Sequence, residues 1–403
     1  MVHRNPDISR YQSDYLFVEV GRRKKKLLAD QPDAKIINLG IGDTTEPIPD
    51  PIIDSFTKKA KELGTKEGYT GYGAPFGDPH LRQSIAGKIY QSRVSANDVF
   101  ISDGAKCDLG RLQLLFGRES SLAIQDPSYP VYIATSVMSG KTEDYNTGTG
   151  QYKGIAYMSC KPENQFFPII DEVPQTDLIY ICSPNNPTGA VLTHKQLETL
   201  VALAHKQKSI IIFDSAYSGF IRDPSLPRSI FEVEGASEVA IEIGSFSKLA
   251  GFTGVRLGWA VIPAQLRYND GTTVQKDWIK IASTFFNGAS NLAQAGGITA
   301  LGDEGLALSD KLCGFYLENA KILREAVESR GFTCYGGENA PYLWVDIKGQ
   351  SSWDFFDTIL KTAHIVTTPG IGFGPAGEGF LRLSAFGQRD NIKEASERLR
   401  NAL

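Results

Sequence analysis

The residues of this sequence that could do chemistry follow short apolar runs, at the point where each run ends. Ser245 directly follows the run VAIEIG, and Lys248 comes three residues later. A lysine this close to a buried strand loses solvation, which lowers the pKa of its amine unless it finds a partner. A neutral amine forms a Schiff base with a carbonyl group, so the position indicates covalent catalysis. The alternative is an exposed lysine in a glycine-rich loop.

A phosphate site is the second feature that this segment indicates. The hydroxyls of Ser245 and Ser247 and the guanidinium of Arg256 suit an anion. A reactive amine beside a bound phosphate is what a pyridoxal phosphate enzyme needs, because the phosphate anchors the cofactor and the amine attaches it. The segment therefore makes pyridoxal 5′-phosphate the expected cofactor.

Asp214 directly follows another apolar run, SIIIF. A carboxylate is costly to bury there unless it is paired with a cation, and a protonated pyridine nitrogen is such a cation. Tyr217 in the same turn and Asn186 in SPNNPTG could bond the phenolic oxygen of the cofactor. Asp214 could instead cap a helix, and SPNNPTG could be a turn that binds nothing.

Two further runs end in residues that suit the same ligand. After VFIS, Gly104 precedes a helix whose first amides, those of Ala105 and Lys106, could receive a phosphate. After SLAIQ, Tyr129 could stack on a planar cofactor, although a tyrosine in the core is an equal alternative.

The elements that must position these residues form one series of short runs rich in β-branched residues. Such runs, with the helical pattern of residues 196–208 between two of them, predict a mainly parallel sheet with helices on both sides. Ligands of such sheets bind beyond the carboxyl ends of the strands. The predicted strands are residues 99–102, 121–125, 178–182, 209–213, 239–244 and 257–262.

The pattern changes after about residue 290, where helical stretches flank two strand-like segments. This change predicts a smaller α+β domain. The helical stretches are residues 310–330, 352–363 and 390–402, and the strand-like segments are 342–347 and 380–386. The expected domains are an N-terminal arm (1–35) that packs with the small domain and a partner subunit, a large cofactor domain (36–290) and the small domain (291–403).

Composition excludes several other classes of protein. The 403 residues carry a formal charge of −4, which gives no reason to expect nucleic acid or an anionic membrane as a partner. No apolar run is long enough for a membrane span, and the N-terminus has no apolar core of a signal peptide. The five scattered cysteines suggest free thiols in a reducing cytoplasm, and neither they nor the histidines have metal-binding spacing.

The chain resembles the class I and II aminotransferases, which have the aspartate aminotransferase fold (fold type I of pyridoxal phosphate enzymes). The resemblance runs from about residue 36 to the end, and the family strings occur in family order: NPTG, DSAY, SFSKLAGFTGVRLGW and PGIGFG followed by RLS. It implies that Lys248 is the Schiff-base lysine and proton shuttle, that Asp214 pairs with the pyridine nitrogen, and that Arg382 binds the substrate α-carboxylate.

The resemblance implies roles for the other candidates as well. Tyr217 and Asn186 would contact the ring oxygen, and Tyr129 would stack on the ring. The expected phosphate ligands are Tyr72 of a neighbouring subunit, the amides of Ala105 and Lys106, Ser245, Ser247 and Arg256. The expected substrate contacts are Tyr15 of the neighbouring subunit, Gly42, Lys106, Tyr129, Asn186, Asn287 and Arg382. Two shared sites imply a homodimer.

Within that family the chain is similar to the LL-diaminopimelate aminotransferases. The strings that carry this similarity include NLGIGDTTEPIP, SDGAKCD and TFFNGASNLAQAGG. It implies amino transfer between L-glutamate and tetrahydrodipicolinate in lysine and diaminopimelate synthesis. Relatives carry an acidic residue shortly after the counterpart of Tyr72, where this chain has Pro75. The alternatives are a related enzyme for aspartate, alanine, aromatic amino acids or kynurenine, and a non-catalytic regulator with this fold.

Overall fold

The computed structural model describes residues 2–11 and 16–403. The helices are α1 (Pro6–Arg10), α2 (Leu16–Asp30), α3 (Asp50–Leu63), α4 (Pro79–Ser84), α5 (Ala105–Leu112), α6 (Val131–Met138), α7 (His194–Gln207), α8 (Phe246–Leu249), α9 (Val274–Ile281), α10 (Asn291–Ala300), α11 (Asp303–Glu328), α12 (Ser352–Ala363) and α13 (Arg389–Ala402). Within those described ranges, no helix has the length and apolar character that a bilayer span requires.

The strands follow the predicted series closely. They are β1 (Ile37–Asn38), β2 (Val99–Ser102), β3 (Leu122–Asp126), β4 (Tyr145–Asn146), β5 (Gln151–Tyr152), β6 (Ile155–Ser159), β7 (Leu178–Cys182), β8 (Ile210–Asp214), β9 (Ala240–Ser245), β10 (Gly258–Val261), β11 (Thr333–Gly336), β12 (Tyr342–Asp346), β13 (Ile365–Val366), β14 (Thr368–Pro369) and β15 (Phe380–Ser384). All six predicted strands of the large sheet are present.

The large sheet has seven strands in the order β2-β10-β9-β8-β7-β3-β6. Strands β6, β3, β7, β8 and β9 pair in parallel, and β10 runs antiparallel to both of its neighbours. Only β6 was not predicted, because this edge strand is just half buried. The predicted mainly parallel α/β sheet is therefore confirmed.

Both faces of the central strands are covered, as the continuous apolar runs predict. In β8, Ile211 and Phe213 belong to one apolar core, and Ile210 and Ile212 belong to another on the opposite face. Because the faces are filled, polar side chains are left for the strand ends. Thr193 caps the start of α7, where its hydroxyl accepts a hydrogen bond from the backbone amide of Gln196 at 3.2 Å.

A second, antiparallel sheet follows in the order β11-β12-β15-β14. Strands β12 and β15 match the two predicted segments, whereas β11 (TCYG) is mostly exposed or half buried and β14 has only two residues, so neither leaves a clear apolar pattern. The N-terminal region belongs to this part of the molecule: β1 pairs with β13, and Leu16, Val20 and Leu27 of α2 lie in the same apolar core as β12 and β15. The three domain bounds drawn from the sequence stay a prediction.

Candidate active site

A cavity of about 630 Å³ lies at the carboxyl ends of β7, β8 and β9 and is closed from the other side by β12 and β15. The residues that the sequence predicts for the site, and that line this cavity, are Gly42, Ala105, Lys106, Tyr129, Asn186, Asp214, Tyr217, Ser245, Ser247, Lys248, Arg256 and Arg382. The sheet topology thus gathers residues that are far apart in the sequence.

Lys248 stands on the one-turn helix α8, directly after β9. Ser245 starts this turn, and its hydroxyl accepts a hydrogen bond from the amide of Ser247 at 3.1 Å. The Lys248 amine donates to the carbonyl oxygen of Gly42 and lies 5.0 Å from the centre of the Phe386 ring. Burial lowers its pKa to about 8, against an opposing effect of the Asp43 carboxylate. A substantial part of this amine is therefore neutral near physiological pH.

Asp214 ends β8 and is buried. Its Oδ2 accepts a hydrogen bond from the hydroxyl of Tyr132 at 2.7 Å, and its Oδ1 accepts from the amide of Ala216 at 3.0 Å. Burial raises the pKa of this carboxyl. Since its described partners are two neutral donors, a cationic ligand in the cavity would supply the charge that a buried carboxylate lacks.

Arg382 extends from β15 to the cavity and is fully buried. Its guanidinium donates to Asn186 Oδ1 at 2.7 Å and to the carbonyl oxygen of Gly40 at 2.6 Å. Its Nε is buried and has no partner among the described residues. The rings of Tyr342 and Phe373 lie 4.6 and 4.8 Å from its Cζ. A cation held this rigidly is suited to a carboxylate.

A positively charged cradle lies where α5 starts. Arg256 donates to Ser247 Oγ at 3.2 Å and to the Thr253 carbonyl oxygen at 3.0 Å. Gly104 precedes α5 with a φ of +122°, and a Cβ at this position would collide with the Arg256 guanidinium. The first amides of a helix have no partner within it, so those of Ala105 and Lys106 point to an anion site.

Lys106 and Tyr129 stand beside this cradle. Lys106 is an exposed residue, and its amine lies 5.9 Å from the centre of the Tyr129 ring. Both side chains line the cavity, so a flat ligand bound there would have a ring on one side and an amine at its rim.

Among the described residues predicted for the site, Tyr72 and Asn287 do not line the cavity of the same chain. Tyr15 lies outside the described residues. Tyr72 is 85% exposed. Asn287 follows the π-helical turn Ala282–Phe286 with a φ of +61° and is also exposed. Their assigned roles stay predictions.

Several residues of the cavity wall were not predicted from the sequence. Tyr132 contacts Asp214, and Tyr342 contacts Tyr217 and Arg382. Tyr132 could have been found, since it comes three residues after Tyr129 in PSYPVY and just inside the start of α6. The other missed lining residues are Phe17, Ile41, Cys107, Leu109, Cys182, Ala216 and Thr253.

The donor set of this cavity fits pyridoxal phosphate. A buried carboxylate (Asp214), a guanidinium beside free helix amides (Arg256) and a partly neutral amine (Lys248) match the pyridine nitrogen, the phosphate and the aldehyde of that group. Within residues 2–11 and 16–403, no cluster of histidine, cysteine or acidic side chains could hold a metal ion.

The comparisons with known proteins point to one family. Residues 34–399 match the model of the aminotransferase class I and II family. An LL-diaminopimelate aminotransferase of Protochlamydia amoebophila is 54% identical over 403 residues, which cover all of this chain and 98% of that protein. A chloroplastic one of Arabidopsis thaliana is 54% identical over 400 residues, 99% of this chain and 87% of that protein.

Solved structures agree with these sequence matches. The L,L-diaminopimelate aminotransferase of Chlamydomonas reinhardtii superposes with a TM-score of 0.96 at 52% identity, over 100% of this chain and 98% of that one. An aspartate aminotransferase of Thermus thermophilus with maleate gives 0.83 at 21% identity over the whole of both chains, which shows a shared fold.

Proposed function

The chain belongs to the aminotransferase class I and II family, and we propose that it catalyses the LL-diaminopimelate aminotransferase reaction. In this reaction the amino group of L-glutamate passes to tetrahydrodipicolinate, whose ring is opened by water, and the products are LL-2,6-diaminopimelate and 2-oxoglutarate. The observation that carries the proposal is the meeting of Lys248, Asp214 and Arg382 in one cavity, with Lys106 at its rim.

The site holds pyridoxal phosphate in this proposal. When bound, this cofactor draws electrons away from the substrate Cα and makes its C–H bond acidic. Asp214 would keep a proton on the pyridine nitrogen, and Tyr217 would donate a hydrogen bond to the ring oxygen. Arg256, Ser245, Ser247 and the first amides of α5 hold the phosphate.

In the proposed mechanism Lys248 moves the proton whose transfer allows an amino group to be exchanged for a carbonyl oxygen. With the cofactor bound, the Lys248 amine would accept the proton of the substrate Cα and carry it to C4′ of the cofactor. The lowered pKa of about 8 suits this task, because the neutral amine accepts a proton and the resulting ammonium gives it up easily. Arg382 fixes the α-carboxylate so that Cα faces this amine.

The choice of substrate rests on a second cation. Diaminopimelate and glutamate each have two carboxylates, so a site that serves both must bind a distal carboxylate as well as the one at Arg382. The exposed amine of Lys106 is placed beside Tyr129 at the cavity rim and suits that group.

Replacing Lys106 with alanine should weaken use of both dicarboxylates. Losing one charged hydrogen bond should lower kcat/KM for LL-diaminopimelate and glutamate about ten- to a hundredfold. The free amino acid alanine has one carboxylate, so it should be a poor amino donor, and its kcat/KM should be nearly unchanged by the substitution. Single-turnover absorbance of the cofactor measures all three. Equal losses on all three would show that Lys106 acts through the phosphate instead.

We propose a homodimer with shared sites, because the loops of Tyr72 and Asn287 face outward side by side. The side-chain amide of Asn291 donates to Thr70 Oγ1 at 3.0 Å and to the Gly71 carbonyl oxygen at 3.3 Å, which joins the two loops. Tyr69 and Phe285 are exposed in these same loops, at 70% and 67%. Such exposed aromatic side chains are typical of a protein interface.

Mixing inactive chains tests these shared sites. Lys248→Ala and Tyr72→Phe chains, re-associated in equal amounts, should form hybrid dimers with one native site, and roughly a quarter of full activity should return. As a matched control, Lys248→Ala mixed with Asp214→Asn should restore nothing, since both residues belong to the same chain's site. Absence of rescue in the first mixture, or a fully active monomer in sedimentation, would contradict the proposal.

The reaction itself is tested with purified protein, glutamate and tetrahydrodipicolinate, beside a panel of other 2-oxo acids. We expect LL-diaminopimelate to form and the meso isomer to be tolerated in part, since Pro75 offers no carboxylate to read the distal amine. Turnover of aspartate, aromatic amino acids or kynurenine without diaminopimelate would leave a different aminotransferase.

The five cysteines are free, which supports our proposal of a reducing compartment such as the cytoplasm.

A further inference from the structure

Tyr342 lies between two groups of the proposed mechanism, Tyr217 and Arg382. It starts β12 in the second sheet, and its hydroxyl is 2.8 Å from the hydroxyl of Tyr217, which follows β8 of the large sheet. Its ring faces the guanidinium of Arg382, with Cζ 4.6 Å from the ring centre. It is 1% exposed. One buried phenol therefore touches both the ligand of the ring oxygen and the binder of the α-carboxylate.

The close packing around Tyr342 fixes this position. The backbone of Gly42 passes so near that a Cβ there would collide with the Tyr342 hydroxyl. The rings of Tyr217 and Phe386 contact it edge to face, with centres 5.2 and 6.1 Å away. Its hydroxyl is thus held toward Tyr217 rather than free to rotate toward solvent.

The direction of the hydrogen bond follows from the proton count. A phenol has one proton to donate. Burial keeps the pKa of Tyr217 well above its usual range and raises that of Tyr342, so both are neutral. If Tyr217 gives its proton to the ring oxygen of the cofactor, the proton between the two phenols must come from Tyr342.

Resting on the proposed function, we propose that Tyr342 is a positioning residue that donates to Tyr217 and so couples carboxylate binding at Arg382 to the ring oxygen of the cofactor. A donor to the Tyr217 oxygen makes Tyr217 a stronger donor in turn. The positive charge of Arg382 on the Tyr342 ring polarises that first donor. A carboxylate that neutralises Arg382 would weaken the hydrogen bond from Tyr342 to Tyr217 and, through it, the bond from Tyr217 to the ring oxygen. The ring oxygen would then bind the proton next to it more strongly.

Other charged or titratable groups around Tyr217 and Tyr342 also affect the protonation at the ring oxygen. Those facing it are Arg382 from β15, Asp214 from β8, the Cys182 thiol from β7 and Lys248 from α8. Asp214 and Lys248 also respond to the cofactor directly. The test must therefore vary the Tyr342 hydroxyl alone.

The experiment follows the absorbance of bound pyridoxal phosphate against pH, without substrate, in wild type and in Tyr342→Phe. Phenylalanine keeps the ring on Arg382 and removes only the hydroxyl. We expect the pH midpoint of this absorbance change to be higher in Tyr342→Phe than in wild type by about half to one unit, the size expected for one lost neutral hydrogen bond. Glutarate, which has two carboxylates and no amine, should raise the wild-type midpoint and shift the variant less.

Two further variants decide whether Tyr342 acts through Tyr217. In the Tyr217→Phe background, adding Tyr342→Phe should cause no further shift. Tyr335→Phe, in the same sheet but away from the cavity, is the matched control and should behave as wild type. An unchanged midpoint in Tyr342→Phe, or a full shift in the Tyr217→Phe background, would overturn the coupling alone. A wild-type protein that binds no pyridoxal phosphate would overturn the proposed function together with the coupling.

Discussion

Replacing Lys248 with alanine should lower turnover by roughly four orders of magnitude, the upper range for losing a positioned acid–base group. The variant loses both the covalent attachment of the cofactor and the base that faces the substrate Cα. Borohydride should fix pyridoxal phosphate onto the peptide that contains Lys248 in the wild type, and onto no peptide of the variant. Lys321→Ala, an exposed lysine of α11, is the control and should keep full activity.

The pH dependence of attachment follows from the same lysine. Burial places its pKa at about 8, below that of an ordinary lysine, so the protonated and unreactive form dominates at lower pH. In cofactor-free protein the attachment rate should rise with pH and level off above about pH 8. Stopped-flow absorbance measures it. A label on Lys106, or a rate that still climbs steeply beyond pH 9.5 (roughly the range of an unperturbed lysine), would contradict the assignment.

Asp214→Asn should lower turnover by about 10³-fold, the upper range for removing one electrostatic group from a buried site. Asparagine keeps the shape, but it has a single acceptor oxygen, so it can accept a hydrogen bond from Tyr132 or from the Ala216 amide and not from both in the native geometry. It also has no charge for the pyridine nitrogen. Single-turnover absorbance with glutamate separates this chemical step from product release.

The control for that variant is Asp270→Asn, an exposed aspartate in a loop. It should leave turnover unchanged. An Asp214→Asn enzyme within tenfold of wild type would show that the ring nitrogen needs no anionic partner here. Loss of cofactor affinity with normal turnover at saturation would limit Asp214 to binding.

The sequence predicted the large sheet and the residues at its strand ends because both depend on local patterns. Lys248 and Asp214 each follow an apolar run that can only be a buried strand, and parallel strands bring their carboxyl ends to one edge. The antiparallel direction of β10 was not predictable from its apolar residues, since direction is set by which edge its connections reach.

Tyr342 shows why part of the cavity wall escaped prediction. It starts an ordinary apolar strand, and its contacts with Tyr217 and Arg382 join sequence positions up to 125 residues apart across two sheets. No spacing rule covers such a contact. Tyr72 differs again: its predicted role needs a second chain, so the fold of one chain leaves it outside the cavity. Asn287 was predicted as a substrate contact, and it does not line the cavity of its own chain.

The antiparallel pairing of β9 with β10 restricts where the chain could be cut or rearranged. Gly258 pairs with Ser245, so residues 246–257 leave the sheet and return to it at the same edge. Lys248 and Arg256 are thus carried by one loop that is closed at its base. A circular permutation with new ends in a surface loop elsewhere would preserve their spacing. New ends between Lys248 and Arg256 would separate the amine from the guanidinium proposed to bind the phosphate, even if every strand still formed.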